Sequence, residues 1–362
     1  MSGELTPGAG SRPIRIAVDA MGGDHAPAAI VEGAAAAAAA FGIDVILTGP
    51  SGVLRPLLSV QLPAARDGSR PGQVRIVSSE DSLAMDEGAL ASLRRPRSSA
   101  AIACQLVRRG QAQAVVSAGS TGGTVATARL RLRSLPGVMR PGLAVVLPTR
   151  PTPTLLVDAG AIADPKPEML VAFAQLGVAY AQVGHGITEP KVGLLTIGAE
   201  PGKGNRLARR AHELLAQAPP HGALPIRFIG NVEGGDLLTR KADVIVTDGF
   251  TGNVALKVLE GTAAFAAAQT RAALTDSAPA RFGVLFQRRG LRELAGRMDA
   301  ETYGGAALLG LEGTVVIAHG AATAKGVTSA CRLATDLDRG QITEKIKERF
   351  GPGRGSHFLR RS

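Results

Sequence analysis

Along most of the chain, short runs of apolar, often β-branched residues alternate with longer stretches rich in Ala and Leu. Ten runs read as strands: "IRIAVDA" at 14–20, "DVILTG" at 44–49, "VRIVSS" at 74–79, "AVVSAG" at 114–119 and "GLAVVLPT" at 142–149, then "TLLVDAG" at 154–160, "KVGLLTIG" at 191–198, "IRFIGNV" at 226–232, "ADVIVTDG" at 242–249 and "GTVVIAHG" at 313–320. Several are apolar at nearly every position, as parallel strands covered on both faces are. Helical patterns fall between most of them, as βαβ crossovers require. The pattern predicts an α/β fold, a doubly wound, mostly parallel sheet, with antiparallel strands expected at its edges.

One region breaks the rhythm. From Val254 to about Arg297 two helical patterns follow each other, joined by "TDSAPARFGVLFQRR". They predict a projecting helical hairpin whose bend carries Phe282, Val284, Leu285 and Phe286 beside Arg281, Arg288 and Arg289. Two readings stand: the apolar residues are buried in the core or a dimer interface, or they enter a membrane surface with the arginines on the head groups. Residues 1–12 and 351–362 read as loose tails around one α/β domain at 13–350.

Composition narrows the function. Lys and Arg number 41 against 30 Asp and Glu, a net charge of +11, which suits an acidic partner: a phosphate substrate, an acidic carrier protein or an anionic membrane surface. Aromatic residues make up 3% and Trp is absent, which argues against the stacking platforms that bind single-stranded nucleic acid. Cys104 and Cys331 give neither a disulfide framework nor a Cys metal site. No G-x-S-x-G elbow or H-E-x-x-H is present, and the six histidines lack ligand spacing, so neither metal nor cofactor is expected. His319 ends a strand and is placed in a cleft; His25 is placed on the solvent side or in a structural role, and His185, His212, His221 and His357 at the surface. The polar N-terminus shows no signal peptide and the apolar run Ala34–Ala40 is too short to span a bilayer, so a cytoplasmic protein with peripheral access to the plasma membrane is expected.

The chemistry gathers at strand ends. "VSAGSTGGTVATA" (116–128) and "VTDGFTGNVALK" (246–257) both run strand, Gly-x-Thr-Gly, helix. Glycine lets backbone N–H groups approach an anion, and a helix start adds unpaired N–H groups and a positive dipole end. The plain alternative is tight packing. Neither copy is a Walker loop or a G-x-G-x-x-G dinucleotide turn. The opening "AVDAMGGDHAP" adds Asp19, Gly22, Gly23 and Asp24; "VDAGAIADPKPEML" adds Lys166, "TIGAEPGKGNRLARRA" adds Lys203 and Asn205, and "FIGNVEGGDLL" adds Asn231. Because ligands of open α/β sheets sit outside the carboxyl ends of the strands, these loops are expected to converge. The candidate catalytic residues are Lys166, Lys203, Asn253, Asp248 and Asp19. The candidate binding residues are Gly22, Gly23, Asp24, Gly119, Thr121, Gly122, Asn205, Asn231, Gly249, Thr251, Gly252 and His319.

Taken together, "AVDAMGGDHAP", "SAGSTGG", "LGVAYAQ", "VGLLTIGAEPGKGN", "FIGNVEGGDLL", "DVIVTDGFTGNVALK" and "YGGAALLGLEGTVVIAHG" resemble the bacterial acyl-carrier-protein:phosphate acyltransferases, in order, from about Ile14 to about Lys347. The resemblance implies a fold like that of phosphotransacetylases and the isocitrate-dehydrogenase-like group, and a homodimer with an extended helical pair. It implies transfer of a fatty acyl chain from acyl carrier protein to inorganic phosphate for phospholipid synthesis, and contact with the downstream glycerol-3-phosphate acyltransferase. The chain departs from the family pattern at Ser120, Ile162, Pro165, Thr196 and Ala199. The expected chemistry is direct attack of bound phosphate on the thioester, with Asp19 and Asp248 orienting lysines and asparagines. Rival readings are an acyl-coenzyme A phosphotransacetylase and a non-catalytic scaffold for carrier protein or membrane.

Overall fold

The computed structural model describes residues 13–61, 72–87, 89–217, 224–277, 284, 286–293, 296 and 300–351. Eleven strands form one sheet: β1 (Arg15–Asp19), β2 (Asp44–Gly49), β3 (Val74–Ser78), β4 (Ala114–Ser117), β5 (Gly142–Leu147), β6 (Thr154–Val157), β7 (Lys191–Leu195), β8 (Arg227–Val232), β9 (Val244–Val246), β10 (Ala306–Leu309) and β11 (Thr314–Ile317). Their order across the sheet is β3-β2-β1-β4-β11-β10-β5-β6-β9-β7-β8. The fold class is the expected one, with ten of the strands at the expected places. The eleventh, β10, was not expected: "AALL" has the composition of a helix, and it is an extended strand because β11 and β5 pair with it on both sides.

The antiparallel pairs are also not where the sequence reading put them. β3, β2, β1, β4 and β11 are parallel, and so are β6, β9, β7 and β8. The antiparallel contacts β11–β10, β10–β5 and β5–β6 lie in the middle of the sheet, not at an edge. Three reversals leave the second parallel set running opposite to the first. Apolar composition reports burial on both faces and carries no strand direction, so this reversal is silent in the sequence.

Helices cover both faces. They are α1 (Ala28–Phe41), α2 (Ser51–Gln61), α3 (Ala89–Arg94), α4 (Ser99–Arg108), α5 (Thr121–Arg131), α6 (Pro167–His185), α7 (Arg206–Ala216), α8 (Gly249–Thr275), α9 (Ala324–Arg339) and α10 (Ile342–Phe350). Alternate strand residues separate two cores. Ile16, Val18, Val116, Val157 and Val246 pack with α1, α6 and α9, and Ala17, Val115, Leu143, Leu156 and Ile245 pack with α4 and α5. In α10, buried Arg349 donates from Nε to Gln175 Oε1 (2.6 Å) and from Nη2 to the Pro225 carbonyl (2.7 Å). Burial lowers its pKa to about 10, so it stays charged while tying α10 to α6.

The first arm of the predicted hairpin is α8, in which only Gly249 and Gly252 are buried. Phe250, Val254, Val258 and Phe265 on it are exposed. The helical pattern resumes at 286–293, where Phe286 is 78% exposed. Arg281, Phe282 and Leu285 of the bend, both tails beyond 13–351, His221 and His357 lie outside the described residues. No described helix is long and apolar enough to cross a membrane.

Candidate functional site

Strand direction divides the predicted residues into two groups. The first opens at the carboxyl ends of β1, β4 and β11. Asp19, 3% exposed, follows Ala17 by two and so faces the α4/α5 side. Its Oδ2 accepts the Ser117 hydroxyl (2.8 Å) and its Oδ1 the Met21 N–H (3.3 Å). Burial raises its pKa, opposed by Ser99, Ser117 and the N–H groups of Met21 and Gly22. A Cβ at Gly22 would stand 2.6 Å from Asp19 Oδ2 and 2.8 Å from the Gly119 nitrogen, so two turns meet there main chain to main chain. Asp24 N–H donates to the Gly320 carbonyl (2.8 Å), which brings in the β11 exit and exposed His319. Ser120 caps α5, accepting from Gly123 N–H (3.3 Å) and donating to the Glu87 carbonyl (3.2 Å). Thr121 and Gly122 are exposed in the first turn of that helix, and a Cβ at Gly122 would touch nothing.

The second group opens at the carboxyl ends of β6, β7, β8 and β9. Its centre is Asp158, 0% exposed. Oδ1 accepts the N–H groups of Leu143 (2.9 Å), Gly160 (3.1 Å) and Ala161 (2.9 Å), and Oδ2 that of Ile162 (2.8 Å). Burial raises its pKa against those four donors. The turn is folded around this carboxylate. The first turn of α8 sits directly on it: a Cβ at Gly252 would collide with the Asp158 carbonyl, and one at Gly249 would lie 2.6 Å from the Ile162 carbonyl. These two glycines thus follow the packing alternative. Gly122, their counterpart in the first copy, does not.

Beside this turn stand Lys166, held between Pro165 and Pro167 at the start of α6, and Asn253, both exposed; Lys203 is exposed on the loop after β7, its stem against Gly198 of the same loop. Asn253 lies over Gly160, with its Oδ1 3.5 Å from where a Cβ of that glycine would be. An open groove of about 550 Å³ is lined by Ala163, Asp164, Asn205, Arg206, Asp248 and Phe250, among others. Asp248 and Asn205 serve as helix caps. Asp248 accepts both the N–H and the hydroxyl of Thr251 (2.8 Å each), and Asn205 accepts Ala208 N–H (2.8 Å). Asp248 therefore holds Thr251, not the lysine or asparagine expected of it.

Asn231 is buried with both ends of its amide engaged. Its Oδ1 meets His212 Nδ1 (2.8 Å) and its Nδ2 donates to the Glu200 carbonyl (2.7 Å), so it steadies the loop that carries Lys203. His212 is half-buried with its ring edge-on to Phe228, and His185 is half-buried against Tyr180, so neither is the surface residue expected. Asp158 escaped the candidate set although its local sequence repeats that of Asp19: each strand ends Val-Asp-Ala ahead of glycine. Their strands lie five steps apart across the sheet, about 24 Å laterally at ~4.8 Å per step, and run in opposite directions, so the two carboxylates stand at opposite ends of it. The single convergence expected from the sequence is thus divided between the two opposite ends of the sheet.

The cysteines are poor nucleophiles. Both are buried, and burial pushes each thiol up to about 12. Among the described residues no cluster of His, Cys, Asp and Glu could hold a metal ion.

The protein-family profile described as "Fatty acid synthesis protein" matches residues 14–345. The phosphate acyltransferase of Thermobifida fusca is 62% identical over 92% of this chain and 91% of its own length. That of Thermus thermophilus is 44% identical over 93% and 98%. Among solved structures, a phosphotransacetylase from Streptococcus pyogenes aligns with a TM-score of 0.55 at 17% identity, covering 92% of this chain and 94% of its own. One from Staphylococcus aureus aligns with a TM-score of 0.57 at 16% identity, covering 90% and 94%. These two share the fold. The chain belongs to the bacterial phosphate acyltransferase family and is an acyltransferase of fatty acid and phospholipid synthesis.

Proposed function

We propose that this member of the phosphate acyltransferase family transfers a fatty acyl group from acyl carrier protein to inorganic phosphate by direct attack. The observation that carries the reading is the second group: exposed Lys166 and Asn253 beside a turn whose buried carboxylate, Asp158, is fully engaged by main-chain N–H groups, with exposed Lys203 on the loop at the neighbouring strand end. A phosphate oxygen, already anionic, adds to the thioester carbonyl carbon. The tetrahedral oxyanion is stabilised by Asn253 or main-chain N–H groups, a donor being worth about 3 kcal/mol. The C–S bond then breaks, the thiolate leaves and takes a proton from solvent, and acyl phosphate is released. Lys166 and Lys203 bind the phosphate and offset its charge. The rest of the long donor runs over α5, which covers that side of the sheet, toward the first group, which carries no lysine among its described residues. The two buried cysteines support transfer without an acyl-enzyme.

Arg206, Arg209 and Arg210 on α7 give the acidic carrier a docking face beside the groove; Arg209 donates to the Gly204 carbonyl and Arg210 pairs with Glu213. In the same reading the protein is a cytoplasmic homodimer through the exposed face of α8. It touches the inner face of the plasma membrane peripherally and passes its product to a glycerol-3-phosphate acyltransferase. The test supplies palmitoyl-carrier protein and palmitoyl-coenzyme A with and without phosphate, and measures acyl phosphate and acyl label on the protein. The expected result is phosphate-dependent acyl phosphate from the carrier thioester and no label on the protein. Preference for coenzyme A, a labelled enzyme without phosphate, or no turnover of either donor would each overturn the reading.

A further inference from the structure

Between β7 and β8 the register slips by one residue. Val192 pairs with Phe228 and Leu194 with Asn231, so two steps along β7 match three along β8, and Gly230 inside that bulge has a φ of 94°. Without the extra residue, Phe228 and Asn231 would face opposite sides of the sheet. With it, both lie on the side that α7 covers, where Ala211 and Leu215 are buried. His212 of α7 meets them both there. Its ring stands edge-on to Phe228 with centroids 5.1 Å apart, and its Nδ1 lies 2.8 Å from Asn231 Oδ1. The next contact fixes which ring nitrogen carries a proton. Asn231 Nδ2 points at the Glu200 carbonyl (2.7 Å), which only accepts, so the amide oxygen faces the ring and Nδ1 must donate.

The same Glu200 carbonyl accepts the Lys203 N–H at 3.0 Å, so one of its lone pairs is taken by the β8 side chain and the other by the loop's own turn. On its far side the loop is closed by the Asn205 cap of α7 and by Arg209, which donates to the Gly204 carbonyl (2.9 Å). Lys203 lays its stem on buried Gly198, where a Cβ would come 2.8 Å from the lysine Cγ. The direction of the lysine is thus set by the loop, and the loop is tied to the sheet through Asn231. Resting on the reading above, in which Lys203 binds phosphate, we propose that His212 is a positioning residue for that lysine, acting through the Asn231 amide and the Glu200 carbonyl. Neither the ring nor the amide has to touch substrate. They hold the loop at one height over the strand ends, and a displacement of about 1 Å far from the chemistry can cost about a hundredfold in rate.

The experiment sets His212→Phe, which keeps a ring against Phe228 and removes the donor, beside His212→Asn, whose side-chain N–H can take the place of Nδ1–H. Each is made in wild type and in Lys203→Ala, and acyl phosphate formation from palmitoyl-carrier protein is followed against phosphate concentration. His212→Phe should raise the phosphate KM about tenfold, the usual size for leaving a buried acceptor unpaired, with the carrier KM unchanged and His212→Asn near wild type. On Lys203→Ala the same change should add less than about twofold, because residues acting through one contact are not additive. The ratio between the two backgrounds is insensitive to any general loss of stability. The same factor in both backgrounds, or an equal rise in the carrier KM, would overturn the proposal. Amide exchange at Lys203, read by NMR without turnover, separates the proposal from the reading it rests on. If His212→Phe speeds that exchange about tenfold and His212→Asn does not, while Lys203→Ala leaves the phosphate KM unchanged, His212 holds the loop and the phosphate role of Lys203 falls. Exchange alike in wild type and both variants would overturn the positioning itself.

Discussion

Asp19 and Ser117 are joined across the parallel strands β1 and β4, hydroxyl to carboxylate at 2.8 Å, and the same Ser117 oxygen accepts the Gly119 N–H at 3.1 Å. Three atoms thus fix the Met-Gly-Gly turn against the Gly-Ser-Thr-Gly turn. Asp19→Ala leaves the Ser117 hydroxyl and the Met21 N–H short of a buried partner. The expected cost is about 1–3 kcal/mol in a denaturant titration, with acyl transfer falling more than stability explains. Burial favours the protonated Asp19, so its contribution to stability declines as pH rises above the ordinary carboxylate range. Asp19→Asn should flatten that slope.

Gly122 and Gly252 stand at the same place in the two Gly-x-Thr-Gly copies and should respond oppositely to alanine. At Gly252 the new methyl would collide with the Asp158 carbonyl, and the variant should lose several kcal/mol or fail to fold. At Gly122 it meets nothing and lies in the first turn of a helix, where alanine gains up to ~1 kcal/mol over glycine. Gly122→Ala should melt at or above wild type while KM rises for long-chain donors and the phosphate KM holds. Unchanged kinetics would make Gly122 a bystander.

His185 should give the fold a dependence on mildly acid pH. Burial against Tyr180 lowers its pKa to about 4, and Asp243 offsets only part of that. Between that value and the ordinary 6.5 the unfolded chain binds the extra proton. Stability is therefore complete above pH 6.5 and is lost as pH falls toward 4, by at most ~3 kcal/mol. His185→Phe keeps the ring packing and removes a buried nitrogen without a partner. Chemical denaturation at pH 5 and 7 should show the wild-type difference shrink in the variant.

Strands were legible wherever β-branched residues filled both faces, as in "DVILTG", whose predicted and observed bounds coincide. "AALL" failed because its residues favour helix and only pairing on both sides makes it a strand. The site was legible as glycine turns at strand ends, since those depend on local backbone needs. What glycine serves there was not: Gly252 is explained by the main chain of a segment some ninety residues earlier. Asn231 looked like a ligand contact until His212, on a helix 19 residues away, took one end of its amide.

β10 and β11 are the last strands among the described residues and fill the middle of the sheet, between β4 and β5. During synthesis the first half can close on itself and the β6–β9 half can begin to do so, but the seam that joins them emerges only after residue 300. The ribosome thus releases nearly the whole polypeptide before its centre can be zipped, and a premature stop costs the keystone, not an ornament at the rim.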